Sequence, residues 1–486
     1  MEVAMSAVTG ELVSRFISFL MKKYHSSSHA QSDEKKMVER LQSLLIRVST
    51  IIEEADGQYI TNTGMIMQLK MISEAMYRGY HVLDTLRYKT IQHIGFNEVS
   101  NDSPSSLHLA IPLKRSRKTT NKHDKKAAHL GALESLEIVV DNMVEFVVLL
   151  GGCERMSRRP YDIYLYTDNF MFSRHAEKQR LLSFLLQQNN PLGDCAPAVL
   201  PIIGGTAVGK KTLVAHACGD ERVRSRFPSV LHLNGDNFMR IDQGRTMFGM
   251  MLIIIEFSSD IGDDDWKKFR SFSMRMSRGS KIVIVGRLTR LARFGSVKPI
   301  FLSALTYDEL RYLFKTLAFG STDPEQHPRL LHIVDEFTEA LHSTQGSLVS
   351  ANTFADVLRN NLNVQFWRCM LDMRIKMVNR NLYKYGVEPT LLIDQGHSVD
   401  ITDYVLHPLS VTRYKIDVSI NKEMPIVKFG ELVADPSIRP KQDFILVSWE
   451  SRMPPHNSFS YFVTSQAQDR HDSSALPGRK RRGVLI

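Results

Sequence analysis

Nine consecutive residues, Gly204-Gly205-Thr206-Ala207-Val208-Gly209-Lys210-Lys211-Thr212, offer the clearest chemistry in the sequence. A glycine-bearing turn that ends in Gly-Lys can wrap its backbone N–H groups around phosphate oxygens, with the lysine ammonium reaching the β-phosphate. Gly209 has no Cβ to keep the backbone away from such a ligand. The spacing alone is weakly specific, and its context strengthens it. Residues 198–203 read as a short apolar strand and residues 213–218 as part of a helix, which is the order a phosphate loop requires. A loop that also handles metal ends Gly-Lys-Ser/Thr, and the hydroxyl holds Mg²⁺. Lys211 stands in that place. Thr212 comes one residue later, turned by about 100° on a helix, and so points away from a metal held there. These residues favour phosphate binding over hydrolysis.

Glu256 closes the apolar run 252–255 and, in a parallel sheet, would face the crevice at the carboxyl ends of the strands. A purely structural role for it is equally open. Asp263, Asp264 and Asp265 are adjacent, so their carboxylates point in different directions; a solvated turn or helix start suits them better than a metal. The four cysteines, Cys153, Cys195, Cys218 and Cys369, are far apart. That fits a reducing cytosol and argues against a zinc site or a disulfide framework.

The elements that must position these residues follow from hydrophobic periodicity. Besides 198–203, the runs 230–233, 251–256 and 281–285 are short and rich in Val, Ile and Leu, as strands buried on both faces should be. Residues 160–320 therefore predict a central parallel α/β sheet carrying the loop. Residues 1–155 predict an N-terminal four-helix bundle. Its stripes run through Leu12, Phe16 and Leu20; Leu41, Leu44 and Val48; Leu69, Ile72 and Met76; and Leu133, Leu136 and Val140. Residues 97–126, rich in Ser, Asn and Lys, read as a flexible loop between the third and fourth helices. A helical domain is expected over 321–390. A small β-rich region follows over 391–486, with strands near 411–420, 444–449 and 459–464 and a basic, disordered tail. The fold class is thus multidomain α and α/β.

With 486 residues and 43% apolar side chains, the chain can fill two to four cores. The formal charge of +10 is partly concentrated at 114–118, 125–126 and 479–482. Such runs are mostly solvated loops, although they leave a nuclear or nucleic-acid partner as an alternative. No aromatic residues interleave them, which counts against single-strand stacking. Residues 1–23 lack a basic start followed by an apolar block, so no secretory leader is expected. The apolar run 138–150 is too short to span a bilayer and carries Asp141 and Glu145.

Several ordered blocks resemble the nucleotide-binding (NB-ARC) module of plant coiled-coil disease-resistance proteins. Phe172-Ser173-Arg174-His175-Ala176-Glu177-Lys178 resembles the opening Gly-Arg-x-x-Glu block, and residues 204–213 resemble the phosphate loop. Residues 252–257 followed by 263–266 resemble a strand ending in paired aspartates and then a tryptophan. Gly279-Ser280-Lys281 through Arg287 resembles the sensor strand. Residues 301–305, 313–315 and 318–320 resemble the block that ends Ala-Phe-Gly. Tyr80-His81-Val82-Leu83-Asp84 takes the place of the acidic motif of the coiled-coil domain. The likeness covers roughly residues 5–350.

The departures fall on the chemistry. Thr206 and Ala207 replace two loop glycines and tolerate positive φ poorly. Lys211 replaces the Mg²⁺ hydroxyl, Glu256 the first aspartate of the pair, and Phe257 the second. The Gly-Leu-Pro-Leu block is reduced to Gly346-Ser347-Leu348. Neither a winged helix nor leucine-rich repeats are evident, which suggests a truncated relative.

The resemblance implies ADP or ATP across residues 204–212, with Arg174 beside the adenine and Arg287 near the γ-phosphate. Arg287 could equally cap a strand end in an ordinary ion pair. Mg²⁺ would be held weakly by Glu256, if at all. The expected activity is that of a cytoplasmic signalling scaffold of plant defence rather than an efficient ATPase, with the bundle meeting itself or another receptor. A working Mg-ATP switch using Glu256 and Thr212 remains the alternative.

Overall fold

The structure is a computed structural model that describes residues 30–95, 122–155, 172–187, 196–235, 249–344, 346–405, 408–413, 424–440, 442–450 and 458–464. Its first part is helical: α1 (Ala30–Asp56), α2 (Thr63–Gly95), α3 (Lys122–Asp141) and α4 (Met143–Gly151). The three longest of these helices pack together, and Leu41, Leu44 and Val48 of α1, Leu69, Ile72 and Leu86 of α2, and Leu136 and Val140 of α3 are all buried. Fully burying each such side chain contributes about 1.5–3 kcal/mol, which is what closes the bundle. A short antiparallel pair, β1 (Gln58–Tyr59) with β2 (Glu154–Arg155), ties its ends. The helix expected around Leu12–Leu20 lies outside the described residues, as do most of the 97–126 loop and the basic run 114–118. Where that loop was expected to end, α3 already begins at Lys122, because Lys125, Lys126, Ala127 and Ala128 are all good helix formers.

The central part opens with α5 (His175–Leu186) and alternates thereafter. The chain forms β3 (Ala198–Gly204), α6 (Lys210–Gly219), α7 (Glu221–Arg226), β4 (Ser229–Asn234) and β5 (Met251–Phe257). It then adds α8 (Asp263–Ser273), β6 (Lys281–Gly286) and β7 (Ile300–Leu302). The five strands form a parallel sheet in the order β4-β5-β6-β3-β7. Alternation along β3, β5 and β6 fills a layer on either side. The edge strand β4, expected from 230–233 to be buried on both faces, is paired on one side only and mostly exposed, with Leu231 and Leu233 half-buried on the α8 side. Leu200, Ile202, Leu252, Ile254, Val283 and Val285 pack against α5, α6 and α7. Val199, Ile203, Ile253, Ile255, Ile282 and Ile284 pack against Trp266 and Phe269 of α8. This is why β3, β5 and β6 read as unbroken apolar runs.

Four helices follow: α9 (Tyr307–Phe319), α10 (Pro328–His342), α11 (Leu348–Arg359) and α12 (Val364–Tyr385). Thr306 and Glu309 start α9 with a reciprocal capping box. The bundle does not stand apart from the sheet. Tyr77 and Tyr80 of α2 pack on Tyr312 of α9, with ring centroids 5.3 and 4.9 Å apart. Phe172 lies 4.7 Å from Tyr77. One compact unit runs through Leu371 and takes in Glu450, and the second comprises the other described residues from Asp372 onward.

The second unit contains α13 (Pro389–Asp394), β8 (Val399–Asp400), β9 (Ser410–Arg413), β10 (Ile426–Lys428), α14 (Phe429–Ala434), β11 (Phe444–Glu450) and β12 (Ser458–Val463). Its sheet has the order β10-β11-β12-β9-β8 and is mixed, since β10 pairs parallel to β11 while β9 pairs antiparallel to β12 and β8. Tyr404, Phe429, Leu446 and Val463 supply its core. Among the described residues, no helix is long and apolar enough to cross a membrane.

Candidate functional site

The strand register decides where the chemistry meets. Ile203 pairs with Gly286, Gly204 with Leu302, and Glu256 with Val285. The ends of β3, β5 and β6 therefore lie at one edge of the sheet, the carboxyl edge where ligands of parallel α/β sheets bind. All the loop residues from Gly204 to Thr212, together with Glu256 and Arg287, stand at that edge.

The loop leaves β3 through Gly204, where a Cβ would lie 2.5 Å from the backbone oxygen of Leu302. Only glycine fits against β7 there. Thr206 keeps an ordinary backbone, whereas Ala207 takes φ +54° and Gly209 takes φ +93°. A non-glycine residue in the left-handed region costs on the order of 1 kcal/mol, so the Ala207 replacement is tolerated with strain. Val208 turns inward and is buried. Gly209 is the N-cap residue of α6, so the first helical amides open onto the loop.

Around this turn each charged side chain has a distinct partner. Lys210 Nζ donates to the carbonyls of Gly204, at 2.8 Å, and Gly205. Lys211 Nζ lies 2.7 Å from Glu256 Oε2, and both side chains are about half exposed, at 47% and 46%. Arg287 Nη1 lies 3.4 Å from Thr206 Oγ1. Phe257, where a second carboxylate would stand, is buried on the α8 side of the sheet. Thr212 lies one residue beyond Lys211, half-buried on α6.

Arg174 is buried and braces the loop from outside the sheet, donating to the carbonyls of Val208, at 3.3 Å, and Ser303. Burial lowers its pKa, and the Glu177 and Glu309 carboxylates counter part of that. The preceding Ser173 sits at φ +55° and hydrogen-bonds Glu309, which fixes the approach of Arg174. Farther along α6, burial pushes the Cys218 thiol up to about 11, which leaves it protonated and inert. Among the described residues, no group of three His, Cys, Asp or Glu is placed to hold a metal ion.

Two tertiary contacts reach the loop from distant parts of the chain. The Leu348 N–H donates to Ala207 O at 3.1 Å, and Leu348 Cδ1 would be 3.4 Å from a Cβ on Gly209. The reduced Gly346-Ser347-Leu348 block thus seats the start of α11 on the loop. Gly346 at φ +58° and the Ser347 N-cap are the local signals that could have placed it. The Lys211–Glu256 pair joins residues 45 positions apart, which nothing in a single sequence brings together.

No family model matches the chain. It is similar to the putative disease resistance protein RGA1 of Solanum bulbocastanum, 22% identical over 366 residues that cover 69% of this chain and 35% of that protein. The putative disease resistance RPP13-like protein 1 of Arabidopsis thaliana is 21% identical over 397 residues, covering 74% and 36%. The chain is a distant homologue of the plant coiled-coil NB-ARC disease-resistance proteins. It spans about a third of the length of these relatives. Chains from the Drosophila ORC bound to DNA (13% identical, covering 62% of this chain and 94% of that one) and from domain III of the Thermotoga maritima replication initiation protein DnaA (15%, 48% and 93%) superpose with TM-scores of 0.28 and 0.23, too low to bear on function. In this chain the β3–turn–α6 segment stands at the carboxyl edge of the parallel sheet, with Gly209 left-handed at the start of α6.

Proposed function

We propose that this NB-ARC relative binds an adenine nucleotide diphosphate or triphosphate through the 204–212 loop and works as a signalling scaffold of plant defence with little or no ATPase activity. One observation carries the reading: the strand–turn–helix of β3 and α6 stands at the carboxyl edge of a parallel sheet, with Gly209 left-handed at the helix start and Lys210 on the turn. Backbone amides there can enclose phosphate oxygens, and the helix dipole favours their charge. Lys210 would exchange the carbonyls of Gly204 and Gly205 for those oxygens. Adenine as the base, and Arg174 and Arg287 as its neighbours, rest on the family likeness.

Hydrolysis needs an oriented water and stabilisation of the transferring phosphoryl group. Phe257 supplies neither a base nor a metal ligand, and the absence of one charge-stabilising group typically costs about 10²-fold or more in rate. Turnover at the level of active P-loop ATPases would contradict the scaffold reading.

The bundle suits the signalling part. It is seated on α9, close to the loop's brace, and it still presents Ile46, Met67 and Met71 to solvent. Those side chains are the natural contacts for a second bundle. Calorimetric titration of ADP into the wild type and Lys210→Ala tests the binding site itself. Saturable binding that the substitution abolishes supports the reading, and equal binding by both removes the loop from it.

A further inference from the structure

We propose that the nucleotide site works without metal, with the Lys211 ammonium serving as its built-in cation. The inference deepens the nucleotide-binding reading above and rests on it.

In a metal-using phosphate loop, the residue after the lysine supplies a hydroxyl ligand, and a carboxylate at a neighbouring strand end holds the ion or its water. Here the two positions are Lys211 and Glu256, and they are joined to each other. Lys211 is the second residue of α6, and its Nζ lies 2.7 Å from Glu256 Oε2. Glu256 belongs to β5, next to β6, whose partner β3 feeds the loop, so the pair stands at the loop's own edge. A Mg²⁺ ion does not fit this set. It would have to displace an ammonium from the carboxylate, it would find no hydroxyl at 211, and the next position offers the buried ring of Phe257. Mg²⁺ demands near-ideal octahedral oxygen ligation and gives up its waters reluctantly, so a single contested carboxylate is a poor site.

The same replacement suits a phosphate ligand well. A lysine is a compact, mobile positive charge with three donors, able to hold the carboxylate and a phosphate oxygen together. Glu256 then has a different task from the metal-binding carboxylate of the family: it holds Lys211 at the edge of the sheet. Being half exposed, the pair is worth little to stability, so its geometry is available for ligand selection. The site selects the metal-free nucleotide over its magnesium complex.

The test is ADP titration in EDTA and in excess Mg²⁺, on the wild type, Lys211→Thr and Glu256→Gln. The expected wild-type affinity is equal in the two buffers or weaker in Mg²⁺. Lys211→Thr restores the hydroxyl and frees Glu256, and should become metal-dependent, with about tenfold tighter binding in Mg²⁺ than in EDTA. Glu256→Gln removes a negative charge beside the phosphates and should bind ADP in EDTA at least as tightly as the wild type, whereas loss of a metal ligand would weaken binding in Mg²⁺. Wild-type binding tightened about tenfold by Mg²⁺ overturns the proposal and leaves the nucleotide site standing. Failure of all three proteins to bind in either buffer overturns the nucleotide reading and this inference with it.

Discussion

Asp84 of the bundle helix α2 lies between two cations of α9: its Oδ2 accepts from Arg311 Nη1 at 2.7 Å and from Lys315 Nζ at 2.6 Å. Arg311 is nearly fully buried and also donates to Asp335 at 2.6 Å. Removing one partner of a buried ion pair leaves an uncompensated charge, which is costlier than the pair itself is stabilising. Asp84→Ala should therefore destabilise the first compact unit by about 3 kcal/mol, read as a lower urea midpoint. Asp84→Asn should recover only part of this.

The same carboxylate gives an acid limit. Burial alone would raise the Asp84 pKa, but Lys315 and Arg311 more than offset it, so the folded value lies below 3.8. A group with a depressed folded pKa contributes stability above its unfolded value, and that stability is lost as pH falls through the folded value. Urea midpoints measured downward from pH 5 should fall in the wild type and fall less in Asp84→Asn.

His175 and Asp56 couple the bundle to the sheet with the opposite sign. His175 Nδ1 lies 2.6 Å from Asp56 Oδ1, within a buried patch where Gln179 also accepts from the Ile60 N–H. Burial would lower the His175 pKa, but Asp56 outweighs it, and the folded value rises above 6.5. The stabilisation is fully present below the unfolded pKa near 6.5 and is lost as pH rises through the folded value. Denaturant midpoints should decline over that interval in the wild type and stay level in His175→Gln.

Lys281 opens β6 with its ammonium buried, donating to the carbonyls of Phe184 and Gln187. Burial, helped by Arg226, pushes its pKa down to about 8. Between that value and the unfolded one near 10.5, the unfolded chain binds more protons, so stability rises with pH there. Lys281→Met should flatten this rise, as followed by urea unfolding between pH 7.5 and 10.5, a window of about three pH units set by the lysine values.

Ala207 offers a gain. Its φ of +54° favours glycine, so Ala207→Gly should stabilise the chain by up to about 1 kcal/mol, measured by thermal unfolding. Gly204→Ala should do the reverse and abolish nucleotide binding, because the added Cβ meets the Leu302 carbonyl oxygen, which belongs to rigid backbone.

The sheet was legible because β3, β5 and β6 are buried on both faces and must be apolar throughout. The stripes of α1 to α3 were legible for the same reason, at helical period. Short elements were not. β8 and β10 have two and three residues, and α14 has six, too few to repeat a pattern, so the region expected to be β-rich also holds helices. The loop residues were placed together by one contiguous motif. The ties of Arg174 to Val208 and of Lys211 to Glu256 depend on tertiary approach, of which single-sequence spacing carries no trace, whereas the seat of Leu348 on Ala207 was marked by the Gly346-Ser347-Leu348 block alone.

The central claim is that main-chain amides at the start of α6 hold a nucleotide although the side chains beside them have changed. Denaturing the purified protein and separating what it releases tests this most directly. The account predicts close to one adenine nucleotide per chain from the wild type and none from Lys210→Ala. A wild type that releases nothing, or a variant that releases the same amount, would contradict it.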